Sequence, residues 1–182
     1  LMKIQATNIP DVLVIEPAVL GDHRGFFMET WRKEWFSEFA PGLEFVQDNH
    51  SKSVKGTLRG LHYQISNPQG KFIRVVGGEI FDAVVDLRKS SPTFGQWAGV
   101  ILSADNKKSL WVPPGFAHGF YVISETAEIT YKCTDYYSAE NERSLLWNDP
   151  SVDIQWPLHE IEVIISEKDN QGSFLSDCDT FP

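Results

Sequence analysis

With 182 residues, 42% of them hydrophobic and 23% charged, the chain has enough apolar material for one domain with a sizeable core, and it fits neither a disordered nor a membrane-bound class. No apolar run approaches the roughly 18 residues of a membrane-spanning helix, and the opening Leu-Met-Lys-Ile-Gln-Ala-Thr lacks the apolar stretch of a secretory signal. The formal charge of −9, from 25 acidic against 16 basic residues, repels nucleic acid, yet a local basic pocket still admits a small phosphorylated ligand. Leu1, ahead of Met2, is read as an addition and carries no argument. Cys133 and Cys178 lie far apart and form no CxxC motif, which suits one core thiol and one tail thiol in a reducing, cytoplasmic compartment.

In chain order, a short strand is expected over Val12 to Glu16 and a turn at Gly21-Asp22. Trp31, Trp35, Phe36 and Phe39 follow at the spacing of one helical face. From Phe45 onward β-patterned segments recur. They cover Phe72 to Val76, Ile80 to Leu87 after the Gly77-Gly78 turn, Trp97 to Leu102, and Ser109 to Val112. Gly119 to Ile123, Ile129 to Cys133 and Ser144 to Trp147 complete the series. Short strands every eight to twelve residues or so, punctuated by Gly, Pro, Asn and Asp, predict an all-β sandwich or barrel with few short helices. Ile80 to Leu87 is apolar on both faces and so central. Ser166-Glu167-Lys168-Asp169 has capping-box spacing, which predicts a short helix. The last ten residues read as a polar tail.

The densest chemistry lies in Arg59-Gly60-Leu61-His62-Tyr63-Gln64, followed by Gly70-Lys71. On a strand, His62 is expected to share its face with Gly60 and Gln64, and Gly60 permits a close backbone approach. A second histidine, His118, follows Pro113-Pro114-Gly115-Phe116-Ala117. A base, cations and a second imidazole converging on one cavity suit proton abstraction beside a carbonyl of an anionic substrate. Asp169 is a candidate to orient His62. Tyr131 is a candidate acid, and Lys71 a candidate for stabilising an enolate. Arg24, beside Gly25 and the aromatic pair Phe26 and Phe27, can grip a phosphate. Gln47-Asp48-Asn49-His50-Ser51 gathers hydrogen-bonding side chains, though alone it also reads as a polar turn. Each candidate has an ordinary alternative: a core histidine, a core aromatic, or a solvated lysine or arginine. His23, His50 and His159 are read as structural.

The sequence resembles half of the cupin metal motif, whose second half is matched by Pro113-x-Gly115-x2-His118. The first half fails, because Gln64 stands where a second ligand belongs and no glutamate follows in register. No GxGxxG or P-loop is present. The chain thus reads as needing neither metal nor other cofactor.

Taken together the motifs resemble the dTDP-4-dehydrorhamnose 3,5-epimerase family. They run in order through Asp22-x-Arg24-Gly25-Phe26-Phe27-x-Glu29, Phe45-Val46-Gln47-Asp48-Asn49-His50-Ser51 and Leu58-Arg59-Gly60-Leu61-His62-Tyr63-Gln64. Next come Gly70-Lys71, Lys89 to Gly95, Pro114 to Phe120, Tyr131-Lys132 with Tyr136-Tyr137, Asn148-Asp149-Pro150 and Ser166 to Asp169. The resemblance implies a cupin-like jelly roll, without cofactor, that works as a homodimer with strands exchanged. The implied reaction inverts C3 and C5 of a dTDP-4-keto-6-deoxy sugar. By resemblance His62 is the base, Asp169 its partner, Lys71 the enolate holder and Tyr131 the acid. Arg24, Phe27, Glu29, Gln47, Asn49, Arg59, His118, Glu142 and Lys168 would line the nucleotide-sugar site, with Tyr137 stacked on the thymine. The alternatives are an epimerase acting at C3 or C5 only, a non-catalytic nucleotide-sugar binder, and a metal-dependent cupin oxygenase.

Overall fold

The structure is a computed structural model that describes residues 2–182, so the reading of Leu1 lies outside the described residues. The strands are β1 (Lys3–Ala6), β2 (Leu13–Glu16), β3 (Val19–Asp22), β4 (Gly25–Met28), β5 (Gln47–Val54), β6 (Leu58–Gln64) and β7 (Lys71–Gly77). They continue as β8 (Glu79–Asp86), β9 (Trp97–Ser103), β10 (Ser109–Val112), β11 (Phe116–Val122), β12 (Thr126–Cys133) and β13 (Glu142–Ser144). Among the described residues two short α-helices, α1 (Lys33–Phe39) and α2 (Glu167–Asn170), and a 3-10 turn at Ala139–Asn141 lie outside the sheets.

One sheet has the order β1-β2-β10-β7-β12-β5 and the other β13-β6-β11-β8-β9, while β3 and β4 form a separate hairpin. From β5 to β13 the chain changes sheet at every step except β8 to β9, a jelly-roll path in which consecutive strands face each other rather than pair. The all-β, cupin-like expectation stands.

Period-two alternation builds the layers. Ile73, Leu110, Val84, Phe120 and Ile129 point between the sheets into the main core. Phe72 and Trp111 point outward, where Phe36 and Ala40 of the α1 region cover them. Trp31 sits ahead of the helix instead of within it, but still packs edge-on against Phe45 at 5.5 Å between ring centroids. The outer face of the second sheet, with Leu61, Tyr63, Val85 and Ala117, is closed by the C-terminal segment.

That last point corrects the polar-tail reading. Leu175, Cys178 and Phe181 pack on the sheet. The Phe181 N–H donates to the Leu87 carbonyl, and the Tyr63 hydroxyl donates to the Asp179 carbonyl. These three apolar residues stand three apart among polar ones, a spacing that does not alternate as a strand does and is too short a series to mark a helix, yet burying a Leu or Phe contributes roughly 1.5–3 kcal/mol. A second correction concerns Gln47 to Ser51. It is no polar turn but the start of β5, paired with β12 along its whole length. The strand Ser144 to Trp147 ends early: β13 stops at Ser144.

Candidate active site

The site forms inside the sandwich, where polar side chains replace the apolar core at one end. β6 pairs His62 with His118 and Arg59 with Phe120, so two residues on β6, Gly60 and Leu61, oppose one on β11, Gly119. This bulge turns Arg59 onto the face of His62. The even alternation expected for Gly60, His62 and Gln64 is therefore interrupted, and Gly60 lies within the irregular step. A Cβ on Gly60 would meet the Gly119 Cα and the His118 carbonyl at 2.6 Å, which is why two facing glycines are needed there.

Asp169 reaches His62 from far along the chain. It sits in the one-turn helix α2, whose N-cap Ser166 accepts from the Asp169 N–H at 3.1 Å, as the capping-box spacing predicts. Its Oδ1 lies 2.6 Å from His62 Nε2, and its Oδ2 accepts from the Gly60 N–H at 3.0 Å. Burial raises the Asp169 pKa, but the bond and charge of His62, with the Gly60 N–H, outweigh it and hold the carboxyl below its ordinary value. A carboxylate only accepts, so His62 Nε2 carries the proton and Nδ1 is free to act as a base.

A cavity of about 220 Å³ lies beside this pair, lined by His62 and Gln64 from one sheet and by Gln47, Asn49, Lys71 and Tyr131 from the other. Tyr137 and Glu142 stand at its edge. His62 and Tyr131 therefore come from opposite sheets. Burial raises the Tyr131 pKa, with Cys133 adding to it and Asn49 and Arg59 opposing, so the phenol keeps its proton. Burial lowers the pKa of Lys71, opposed by Cys133, Asp82 and Glu142 nearby. Glu142 accepts from the Tyr137 hydroxyl at 3.0 Å and also from Lys168. Burial raises the Glu142 pKa, but these two bonds and the His62 charge bring it below its ordinary value.

Arg59 and Asp169 line a further groove of about 470 Å³, where Arg59 Nε donates to Ser53 Oγ at 3.0 Å. His118 is buried and its Nε2 bonds Asp82 at 2.8 Å. Asp82 is a residue sequence reasoning missed. It is fully buried, and its Oδ1 has no partner among the described residues. The available signal was a carboxylate between the core-facing Ile80 and Val84 of β8.

Three candidates lie away from both the cavity and the residues that border it within this chain. Arg24 pairs with Asp22 at 2.6 Å, Glu29 pairs with Arg32 at 2.6 Å, and Phe27 is 71% exposed. All three belong to the β3–β4 hairpin or the residue just after it. Among the described residues no three His, Cys, Asp or Glu side chains cluster as a metal site, and no helix is long and apolar enough to cross a membrane.

The family model described as dTDP-4-dehydrorhamnose 3,5-epimerase matches residues 6–177. The dTDP-4-dehydrorhamnose 3,5-epimerase of Pseudomonas aeruginosa is 54% identical over 182 residues, all of both chains. The fold superposes with a TM-score of 0.95 on the dTDP-6-deoxy-D-glucose-3,5-epimerase of Legionella pneumophila Philadelphia 1, solved in complex with dTDP-4-keto-L-rhamnose. Those two are 50% identical over 98% of this chain and 95% of that one. A 3'-monoepimerase from Streptomyces bikiniensis, solved with dTDP-quinovose, gives a TM-score of 0.87 at 33% identity over 94% and 87%. A match spanning residues 6–177, with half or more of the residues identical to full-length relatives, places this chain in the dTDP-4-dehydrorhamnose 3,5-epimerase family.

Proposed function

We propose that the chain epimerises C3 and C5 of dTDP-4-dehydro-6-deoxy-D-glucose, giving dTDP-4-dehydro-L-rhamnose. The observation that carries this reading is the cavity with a His62–Asp169 pair on one wall and Tyr131 and Lys71 on the other. The C4 ketone acidifies the C–H bonds on both neighbouring carbons. His62 Nδ1 takes a proton, and the electron pair of the broken C–H bond moves to O4 as an enolate. Lys71 holds the charged oxygen, and the Tyr131 hydroxyl returns a proton from the opposite side. Substrate and product are isomers, so the balance calls for no redox partner.

Around this centre Arg59 takes the diphosphate. Gln47, Asn49, His118, Glu142 and Lys168 hold the sugar and nucleotide, and Tyr137 stacks on the thymine. Arg24, Phe27 and Glu29 act in the cavity of a second copy. Support comes from the β3–β4 hairpin, which forms its own sheet and leaves Leu20 and Phe26 68% and 60% exposed. A homodimer with exchanged hairpins covers those residues and brings their charges to the substrate. The two free thiols favour the cytoplasm.

Arg59→Ala is expected to raise KM about tenfold or more while kcat changes little, the pattern of lost ground-state binding. An unchanged KM removes Arg59 from the diphosphate site.

The deciding experiment is incubation with dTDP-4-keto-6-deoxyglucose in D2O, followed by mass spectrometry and NMR. Deuterium at both C3 and C5 is the expected result. The likeness to the Streptomyces bikiniensis monoepimerase favours a second reading, reaction at one centre, which a single deuterium would establish. No deuterium, with dTDP still bound, would leave a binding protein.

A further inference from the structure

Between β12 and β13 the chain carries Tyr137 across the cavity mouth on an irregular segment that belongs to no ladder. Its backbone groups still need partners, and glutamine side chains from three places supply them in succession. Gln69 Nε2 donates to the Asp135 carbonyl at 2.8 Å. Gln64 Nε2 donates to the Tyr136 carbonyl at 3.2 Å, and Gln47 Oε1 accepts from the Tyr137 N–H at 3.0 Å. Gln64 Oε1 then accepts from the Ser138 N–H at 2.7 Å. Gln64 is 3% exposed, and its second amide hydrogen goes to the Asn67 carbonyl at 2.9 Å. Both ends of this side chain are thus committed to backbone, although it is the next inward residue after His62 and borders the same cavity.

We infer that Gln64 and Gln69 are positioning residues for Tyr137. With Gln47 they form an amide cradle that fixes the Tyr137 ring over the cavity mouth, and so set affinity for the nucleotide half of the substrate without touching the reacting carbons. This rests on the nucleotide-sugar reading above. It also gives the glutamine in the His62-Tyr63-Gln64 run a task of its own. A side chain of similar length without the amide fills the space but leaves the Ser138 N–H and the Tyr136 carbonyl without their partner in these half-buried bonds, which loosens the segment. A lone aromatic ring on an unanchored segment stacks poorly, because ordering the segment opposes binding.

The test is a double-mutant cycle read by dTDP titration and by steady-state kinetics of the full-length protein. Gln64→Met is expected to weaken dTDP about tenfold, one decade of affinity for a lost set of half-buried bonds. It should raise KM in step, with kcat within about threefold of wild type. Tyr137→Ala should weaken dTDP by itself, and adding Gln64→Met to it should weaken dTDP no further. Should Gln64→Met fail to fold, Gln69→Met, which removes only the Asp135 bond, carries the same cycle. Losses that multiply in the double variant, or a fall in kcat at unchanged KM, overturn the cradle alone. Wild-type protein that binds no dTDP overturns the nucleotide-sugar reading and the cradle with it.

Discussion

His62→Ala is expected to abolish both turnover and deuterium exchange, lowering kcat/KM by about 10²- to 10⁴-fold, the range general-base catalysis contributes. Affinity for dTDP should stay within about threefold, since the ring contributes to the transition state rather than to ground-state binding. The geometry explains why one side chain carries so much. Asp169 is 4% exposed and holds Nε2 at 2.6 Å, while the Gly60 N–H holds the other carboxylate oxygen, so the imidazole is fixed in tautomer and direction before substrate arrives. Alanine also leaves Asp169 buried without its donor, so the folded protein should lose some stability. Thermal unfolding beside the kinetics separates that loss from the loss of the base. A His62→Ala protein with wild-type turnover would sink His62 as the base, whatever its stability.

Much of this arrangement was readable in the sequence, for physical reasons that differ from residue to residue. β7, β8 and β12 announce themselves because one or both faces bury apolar side chains, so periodicity and burial agree. β5 hides. Its residues alternate as a strand should, but the inward set, Gln47, Asn49, Ser51 and Ser53, is as polar as the outward one because it faces the cavity region. A site built on a strand erases the pattern by which strands are recognised. The C-terminal segment hides for another reason: its few apolar residues answer to the sheet they cover and form too short a series to mark a strand or helix.

The site shows the same division. Asp169 stands out in the sequence as a candidate partner for His62, and the capping-box spacing marks its helix. That a four-residue helix ends against β6, 107 positions away, follows only from tertiary packing. The bulge that brings Arg59 beside His62 depends on two glycines meeting across a ladder, Gly60 and Gly119, which lie on separate motifs in the sequence. Arg24, Phe27 and Glu29 stand apart from the cavity because the hairpin that bears them projects from its own chain. Spacing alone does not tell whether a hairpin packs onto its own sandwich or stands off it.

Tyr131→Phe should split the reaction instead of silencing it. The substitution removes one oxygen and keeps the ring, which packs against the main core, so fold and cavity shape should persist. With His62, Asp169 and Lys71 intact, proton removal and enolate formation continue. Protonation from the opposite face lacks its donor, and net conversion is expected to fall by about 10²- to 10⁴-fold. The enolate then recaptures a proton at the His62 side. In D2O that proton comes partly from solvent, so recovered substrate should gain deuterium with its configuration unchanged. The half-buried phenol suits this division of labour, because burial raises its pKa and favours the protonated form that a donor needs. NMR of the recovered sugar reads both quantities together. If exchange disappears along with conversion, Tyr131 serves the proton-removal step or substrate placement, and the acid must be sought elsewhere on the cavity wall.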